Sequence, residues 1–273
     1  MRYNVISPGG ATNADTGPNR QNYEGVPLAV PDLTVPLPAR PKLLDLYCCA
    51  GGASMGWHRA GFDVYGVDLS PQPNYPFAFH RSGALEVLAA LLTGGAVDFT
   101  HPDGRVEWLG WITDFDAIHA SPPCQRHSAM SACRPGLAEA YPDLIAPTRA
   151  MLINTGLPYV IENVMGSPLI DPTILCGQMF GLELYRHRGF ESNFPIDLPD
   201  HPAHVTPASK AGHWTPGTIM SVAGHVSPMW KAREVMGGIG WMNRDELGES
   251  IPPVYTEYIG EQLLAHLALE VAA

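Results

Sequence analysis

The chain has 273 residues, 45% of them hydrophobic, with 27 acidic against 16 basic side chains and a formal charge of −11. That length suits one large domain, or one domain with a small accessory piece. No run of about 18 apolar residues exists, so no membrane span is expected, and the N-terminus lacks a basic stretch followed by an apolar one, which argues against secretion.

The cysteines, at 48, 49, 124, 133 and 176, are odd in number and form no Cys-x-x-Cys pair, against both a zinc knuckle and a disulfide framework. A reducing cytoplasm suits them. The acidity by itself argues against nucleic acid, but it is uneven. Residues 246–273 carry five Glu and no Lys or Arg, whereas 181–245 hold six basic and six acidic side chains plus five His.

Residues 1–40, rich in Pro, Gly and Asn without helical or strand period, read as an extended arm or a partly disordered tail. "KLLDLYC" is an apolar run that predicts a buried strand, and "GASMGWHRAGF" predicts a Gly-rich turn and a helix. "DVYGVDLS" reads as a second strand ending in an acid, "GALEVLAALLTGG" as a helix closed by glycines, and "FDAIHASPP" as a strand stopped by prolines. "YPDLIAPTRAMLINTG" reads as a helix with a kink at Pro147, and "PYVIENV" as a strand. Strands alternating with helices predict an α/β fold with a doubly wound, mostly parallel sheet. Residues 191–230, with frequent Pro, His and Ser, read as a small insert. The main domain is expected over 41–190 and 231–273. "KAREVMGGIGWM" resumes a helical pattern, and an amphipathic helix is expected from about Pro253, with Val254, Tyr258, Ile259, Leu263 and Leu267 near one face.

In doubly wound sheets ligands bind beyond the carboxyl ends of the strands, and two motifs fall there. "DLYCCAGG" offers a Gly-rich strand-to-helix turn that brings backbone N–H groups near a ligand. Asp68, at the end of the next strand, stands where an acid typically accepts ribose hydroxyls. The pair suggests an adenosine-type cofactor, against a turn with no ligand. The pattern is not Gly-x-Gly-x-x-Gly, so a pyrophosphate dinucleotide is disfavoured.

The second motif is "HASPPCQ". Most interior cysteines are inert packing. Cys124, however, follows a strand terminus and two prolines, which fix φ and keep the preceding residue extended. That setting presents a thiol rigidly at the edge where ligands bind. Glu162 and Asn163 end another apolar strand, where an acid is costly without a task or partner. Arg186 and Arg188 are two apart, hence on one face if extended. Cys, Glu and Arg together suit attack on a polarised heteroaromatic ring; the alternative is a structural Glu–Arg pair beside an unrelated thiol.

These motifs resemble, in order, those of the DNA (cytosine-5) methyltransferases, and among them the compact phage-encoded ones. "DLYCCAGGASMGW", "VDLS", "SPPCQ", "ENV", "RHR" and "ESIPPVYTEYIGEQL" carry the resemblance over about residues 42–265. "SPPCQ" separates the chain from amino-methyltransferases, which lack the thiol. The resemblance implies a Rossmann-like methyltransferase fold with a small target-recognition region, S-adenosylmethionine as cofactor, and double-stranded DNA as partner. It implies a catalytic set of Cys124, Glu162, Arg186 and Arg188. The cofactor would meet Tyr47, Cys48, Cys49, Ala50, Gly51, Gly52, Asp68, Leu69, Pro123, Glu249 and Ser250. The DNA would meet Gln125, Arg126, Ser128 and Asn163, with residues 125–140, including His127 and Arg134, as a loop closing on it. A monomer in the cytoplasm, the host's if phage-encoded, is the expected state.

A thiol ionises near 8.5 when unperturbed, and the neighbouring arginines are expected to favour the thiolate. Cys49 stands where the family's motif usually has Gly, and Glu249 where it usually has Asn. "RSGALEVL" lacks the acid usual near the adenine. An insert of this size predicts short or relaxed sequence specificity. RNA or a free cytosine nucleotide as substrate, and a decayed DNA-binding protein, are the competing readings. His201, His204, His213 and His225 come without a Cys pair, so no metal site is expected and solvated or DNA-facing histidines are.

Overall fold

The computed structural model of the chain describes residues 39–127, 141–209, 213–222 and 226–272. The arm expected over 1–40 lies outside these except for its last two residues, as do Ser128, Cys133, Arg134 and His225.

The apolar runs pair into one nine-stranded sheet, ordered β5-β4-β3-β2-β1-β6-β7-β9-β8. Its strands are β1 (Lys42–Leu46), β2 (Asp63–Asp68), β3 (Ala78–Arg81), β4 (Val97–Thr100), β5 (Val106–Leu109), β6 (Ala117–Ala120), β7 (Tyr159–Asn163), β8 (Thr173–Leu175) and β9 (Arg188–Ser192). The centre, from β3 to β7, is parallel. Both edges are antiparallel: β4 and β5 on one side, β9 and β8 on the other. The sheet is thus mixed and, as expected, mostly parallel, with only β4 and β9 running against the other strands.

Successive strand residues face opposite sides, and helices cover both. Leu44 and Leu46 pack with Val87, Leu88 and Leu91 of α2 (Ala84–Leu92) and Leu152 of α3 (Ile145–Thr155). Leu43 and Val64 pack instead with Trp57 of α1 (Gly52–Ala60) and with Tyr255, Ile259 and Leu263 of the C-terminal helix Pro253–Ala272. That helix buries Tyr255 in place of the expected Tyr258, whose hydroxyl donates to the Asp197 carbonyl at 3.0 Å. α3 starts only at Ile145, so Pro147 falls in its first turn and the expected kink does not form. A first-turn residue has no intrahelical acceptor for its N–H, so proline costs nothing there.

Two shorter helices, α4 (Met229–Val235) and α5 (Arg244–Glu249), precede the C-terminal one, α6. They close a third apolar cluster: Leu184, Met220, Val222 and Val226 pack with Ala232, Val235, Met236, Ile239, Met242 and Leu247. The later part of the expected insert therefore shares a core with segments on both sides of it.

The chain reverses direction across the sheet between β1 and β6: β2 lies to one side of β1, whereas β6 leads on to β7 on the other. Such a switch point opens a crevice beyond the strand ends. The Gly-rich turn leaves β1 there, and the Cys124 loop leaves β6.

Candidate active site

Strand register assembles the site. Leu46 pairs with Ala120, and Ala120 with Ile161, so Ser121 and Glu162 emerge one step further at the same edge. β9 runs back antiparallel, pairing Glu162 with Phe190 and Asn163 with Gly189, which brings Arg188 level with that edge. Arg188 Nε meets Glu162 Oε1 at 3.0 Å, with both side chains largely buried. Cys124 is partly buried and within electrostatic reach of Glu162, Arg188 and Arg186. Burial, then the Glu162 charge, push the thiol above its ordinary value; the two arginines oppose this without reversing it. The expected thiolate bias is thus corrected: desolvation of a thiolate outweighs nearby cations here.

Arg186 has a different task from Arg188. It is buried, and its guanidinium donates to the Val222 carbonyl and, at 2.9 Å, to that of Gly248. Burial and the Arg188 charge lower its pKa to about 9. Tyr255 donates to the Arg186 carbonyl at 2.6 Å. Arg186 therefore ties three segments together and places Arg188 from behind. Asn163 is engaged within the chain as well. It is buried, donating through Nδ2 to the Pro122 carbonyl at 2.8 Å and accepting from Val164 N–H at 2.9 Å. A side chain so engaged straps the Cys124 loop to β7.

The turn after β1 curls through left-handed backbone at Tyr47, Cys49 and Gly51, with φ of 59°, 45° and 85°. The left-handed φ at Cys49 gives a physical reason for the usual glycine there. Asp68 Oδ2 accepts from Cys49 N–H at 3.1 Å and Oδ1 from Ser70 N–H at 2.8 Å. A carboxylate has about four acceptor positions, so Asp68 keeps capacity for hydroxyls. Gly52 opens α1, whose N-terminus has no side-chain cap. A Cβ on Gly52 would stand 1.9 Å from Ser250 Oγ and 2.7 Å from the Ile251 carbonyl, so only glycine lets Ser250 lie against the turn.

Glu249 is exposed, and its carboxyl is raised by partial burial and then by Asp245 and Asp68. Cys49 lies within reach of Asp68, Glu249 and Cys124, which joins the turn, the α5 end and the thiol in one place. Cys48 and Ala50 are buried, Pro123 is partly so, and Leu69 is 72% exposed. The Tyr47 hydroxyl, 2.9 Å from Thr148 Oγ1, ties the turn to α3. Beyond the thiol, Gln125 is exposed, Arg126 donates to the Tyr141 carbonyl at 3.1 Å, and His127 Nε2 sits 3.4 Å from Asp143.

Sequence reasoning missed a buried polar chain beneath the site. Asp45 on β1 pairs in register with His119 on β6, and Asp45 Oδ1 meets His119 Nδ1 at 2.7 Å. Ser54 of α1 donates to the other carboxylate oxygen, and Tyr75 donates to Ser54 at 3.0 Å. The Cys48 thiol joins Tyr75, and Ser121 Oγ reaches His119 Nε2 at 3.5 Å. The chain thus runs from the Gly-rich turn to the Cys124 loop. Asp in "LLDLYC" and His in "AIHAS" were the available signals, polar residues inside apolar runs. Trp241, which donates to the Ala50 carbonyl at 2.9 Å, was also unforeseen.

No protein-family model and no curated protein matches the chain. Solved structures do match. A protein assigned as a DNA modification methyltransferase, encoded within an E. coli prophage, superimposes with a TM-score of 0.55 at 14% identity, over 84% of this chain and 99% of that one. The Dnmt2 methyltransferase of S. pombe does so with a TM-score of 0.50 at 13% identity, over the same shares of the two chains. Together with the parallel sheet centre and its covering helices, these likenesses show that the chain has the α/β methyltransferase fold.

Proposed function

We propose that the chain is a member of the DNA (cytosine-5) methyltransferase family and methylates C5 of cytosine in DNA. The observation that carries this reading is the single sheet edge bearing Cys124, Glu162 and Arg188, next to the Gly-rich turn and Asp68. Doubly wound topology, with 191–230 as a target-recognition region, belongs to the same reading.

The residues around the turn fit S-adenosylmethionine. Asp68 has acceptor capacity for ribose hydroxyls, the α1 N-terminus has no side-chain cap, and Glu249 offers a carboxyl beside a cationic donor. When bound, S-adenosylmethionine supplies an electrophilic methyl on a sulfonium, which takes the electron pair of an activated C5.

The protein's part is to create that electron pair. Cytosine C5 is a poor nucleophile until C6 is saturated. Cys124 releases its proton to solvent water and adds as thiolate to C6, and Glu162 holds a proton at N3, so that negative charge does not accumulate on the ring. Arg188 keeps Glu162 oriented and offers N–H groups to the ring carbonyl. Once C5 carries the methyl, loss of the C5 proton to water expels the thiolate from C6 and restores the aromatic ring. A duplex hides C5 and C6, so the base must be flipped out at a cost of about a few kcal/mol.

The test is a covalent trap. Duplex DNA carrying 5-fluorocytosine, incubated with the protein and S-adenosylmethionine, should yield a denaturant-stable protein–DNA adduct, because a C5 fluorine blocks elimination. Cys124→Ser should form none while still binding the cofactor. An adduct undiminished in Cys124→Ser would remove the thiol from its role. Methyl transfer to RNA or free dCMP in preference to duplex DNA would overturn the DNA assignment.

A further inference from the structure

Four ligating side chains that this chemistry does not use converge where β8 ends and β9 begins. Cys176 directly follows β8, His187 directly precedes β9, and His201 and His204 come from the loop beyond it. Their Sγ and imidazole nitrogens all lie within 4.8 Å of one another. Cys176 Sγ is 3.4 Å from His204 Nε2, and His187 Nε2 is 3.3 Å from His201 Nε2. A hydrogen bond explains either pair alone, but not the convergence of both pairs.

A tetrahedral zinc ion has Zn–S near ~2.3 Å and Zn–N near ~2.0–2.1 Å, which sets ligand-to-ligand edges of about 3.3–3.6 Å. Those two pairs already have that spacing. We propose that Cys176, His187, His201 and His204 bind one structural Zn²⁺. One thiolate and three imidazoles favour zinc over the oxygen-seeking cations. Four protein donors fill the tetrahedron and leave no position for a reacting water, so the ion is structural. Binding releases the Cys176 thiol proton and leaves the histidines neutral.

The surroundings suit ligands held in place. The Tyr185 ring stacks on His204, with centroids 3.9 Å apart and planes 20° from parallel, and its hydroxyl donates to the Thr206 carbonyl at 2.8 Å. Arg188 Nη1 donates to the His187 carbonyl at 2.8 Å. Among the described residues of 193–209, the one strand-type pairing is an isolated bridge between Ala208 and Ile219. A metal crosslink would supply the order that a ladder supplies elsewhere.

Metal content tests this without DNA or methyl donor. The full-length chain, without a polyhistidine tag and grown with added zinc, should retain about one zinc per chain after gel filtration. Cys176→Ala and His204→Ala should reduce that to background. Cobalt(II) loaded in place of zinc should give the intense visible bands of a tetrahedral site and a thiolate charge-transfer band, the latter absent from Cys176→Ser. Folded wild-type protein that retains no zinc and gives no such cobalt spectrum overturns the proposal, as does zinc that persists undiminished in both alanine variants. Should the variants fail to fold, the wild-type cobalt spectrum decides. A zinc-bearing chain that formed no 5-fluorocytosine adduct would sink the catalytic reading and leave this one standing.

Discussion

The ends of β1, β6 and β7 form one region of the molecule, and residues 176–222 form another; the two hold their functional groups by different means. In the first, backbone ladders decide. Cys124 and Glu162 sit where parallel register puts them, and Asp45, His119, Ser54 and Asn163 tighten that placement from below. In the second, side chains reach across to carbonyls: Arg186 to Val222 and Gly248, Tyr255 to Arg186, Tyr185 to Thr206. Glu162 and Arg188, which touch, thus meet where the two regions join, at the β7–β9 ladder. The difference teaches that the thiol and the acid rest on the central ladders, while the guanidinium has its ladder position backed by the Arg186 contacts, which single substitutions remove.

The sharpest way to break this comparison is Arg186→Ala. Removing a buried cation that satisfies two carbonyls should cost roughly 3–5 kcal/mol in chemical denaturation. Limited proteolysis should then cut within 176–222 before anywhere in the sheet centre. Uniform cleavage across both regions would show that they unfold as one.

Asn163→Ala probes the ladder side and should cost about 1–2 kcal/mol, the worth of one buried hydrogen bond and its orphaned partner. Because its strap holds Pro122, kcat should fall on the order of tenfold through misplacement of the thiol, with KM for the methyl donor little changed. A loss confined to stability would make Asn163 a packing residue only.

The smallest effect is on pH. Cys124 is raised by burial and Glu162, so the thiolate fraction, and with it log kcat/KM, should climb by about one per pH unit through neutrality. The plateau should lie above the ordinary thiol value of about 8.5. The linked stability has the matching sign: the folded state favours the neutral thiol, so its contribution is present below the ordinary value and lost as pH rises through the raised one. A rate plateau already reached at neutral pH would mean that the arginines outweigh burial after all.

What could be read from the sequence follows the same division. β1, β2, β6 and β7 were legible because strands buried on both faces are apolar runs bounded by Gly, Pro or an acid. β3 and the outer strands β4, β5, β8 and β9 were not, being three to five residues long with polar positions that resemble loop. Cys124, Glu162 and Arg188 were legible as motif residues, and the register brings them together. The Arg186 contacts were not, since spacing in "RHR" is silent about carbonyls 36 and 62 residues away. The histidine cluster failed for the same reason: His201 and His204 drew notice, but Cys176 and His187 join them only through the β8–β9 pairing.

Gly66 shows how an omission can shape a site. It pairs with Asp45 across β2 and β1, and a Cβ there would fall 2.3 Å from the Tyr75 ring and hydroxyl. The bare strand is therefore a slot through which Tyr75 reaches Ser54 and Cys48. One added methyl would close it, and the disturbance would pass along the hydrogen-bonded chain to Ser121, three residues before Cys124. Placement of that thiol is thus guarded by a residue with no functional group at all, in a strand separated from β6 by β1.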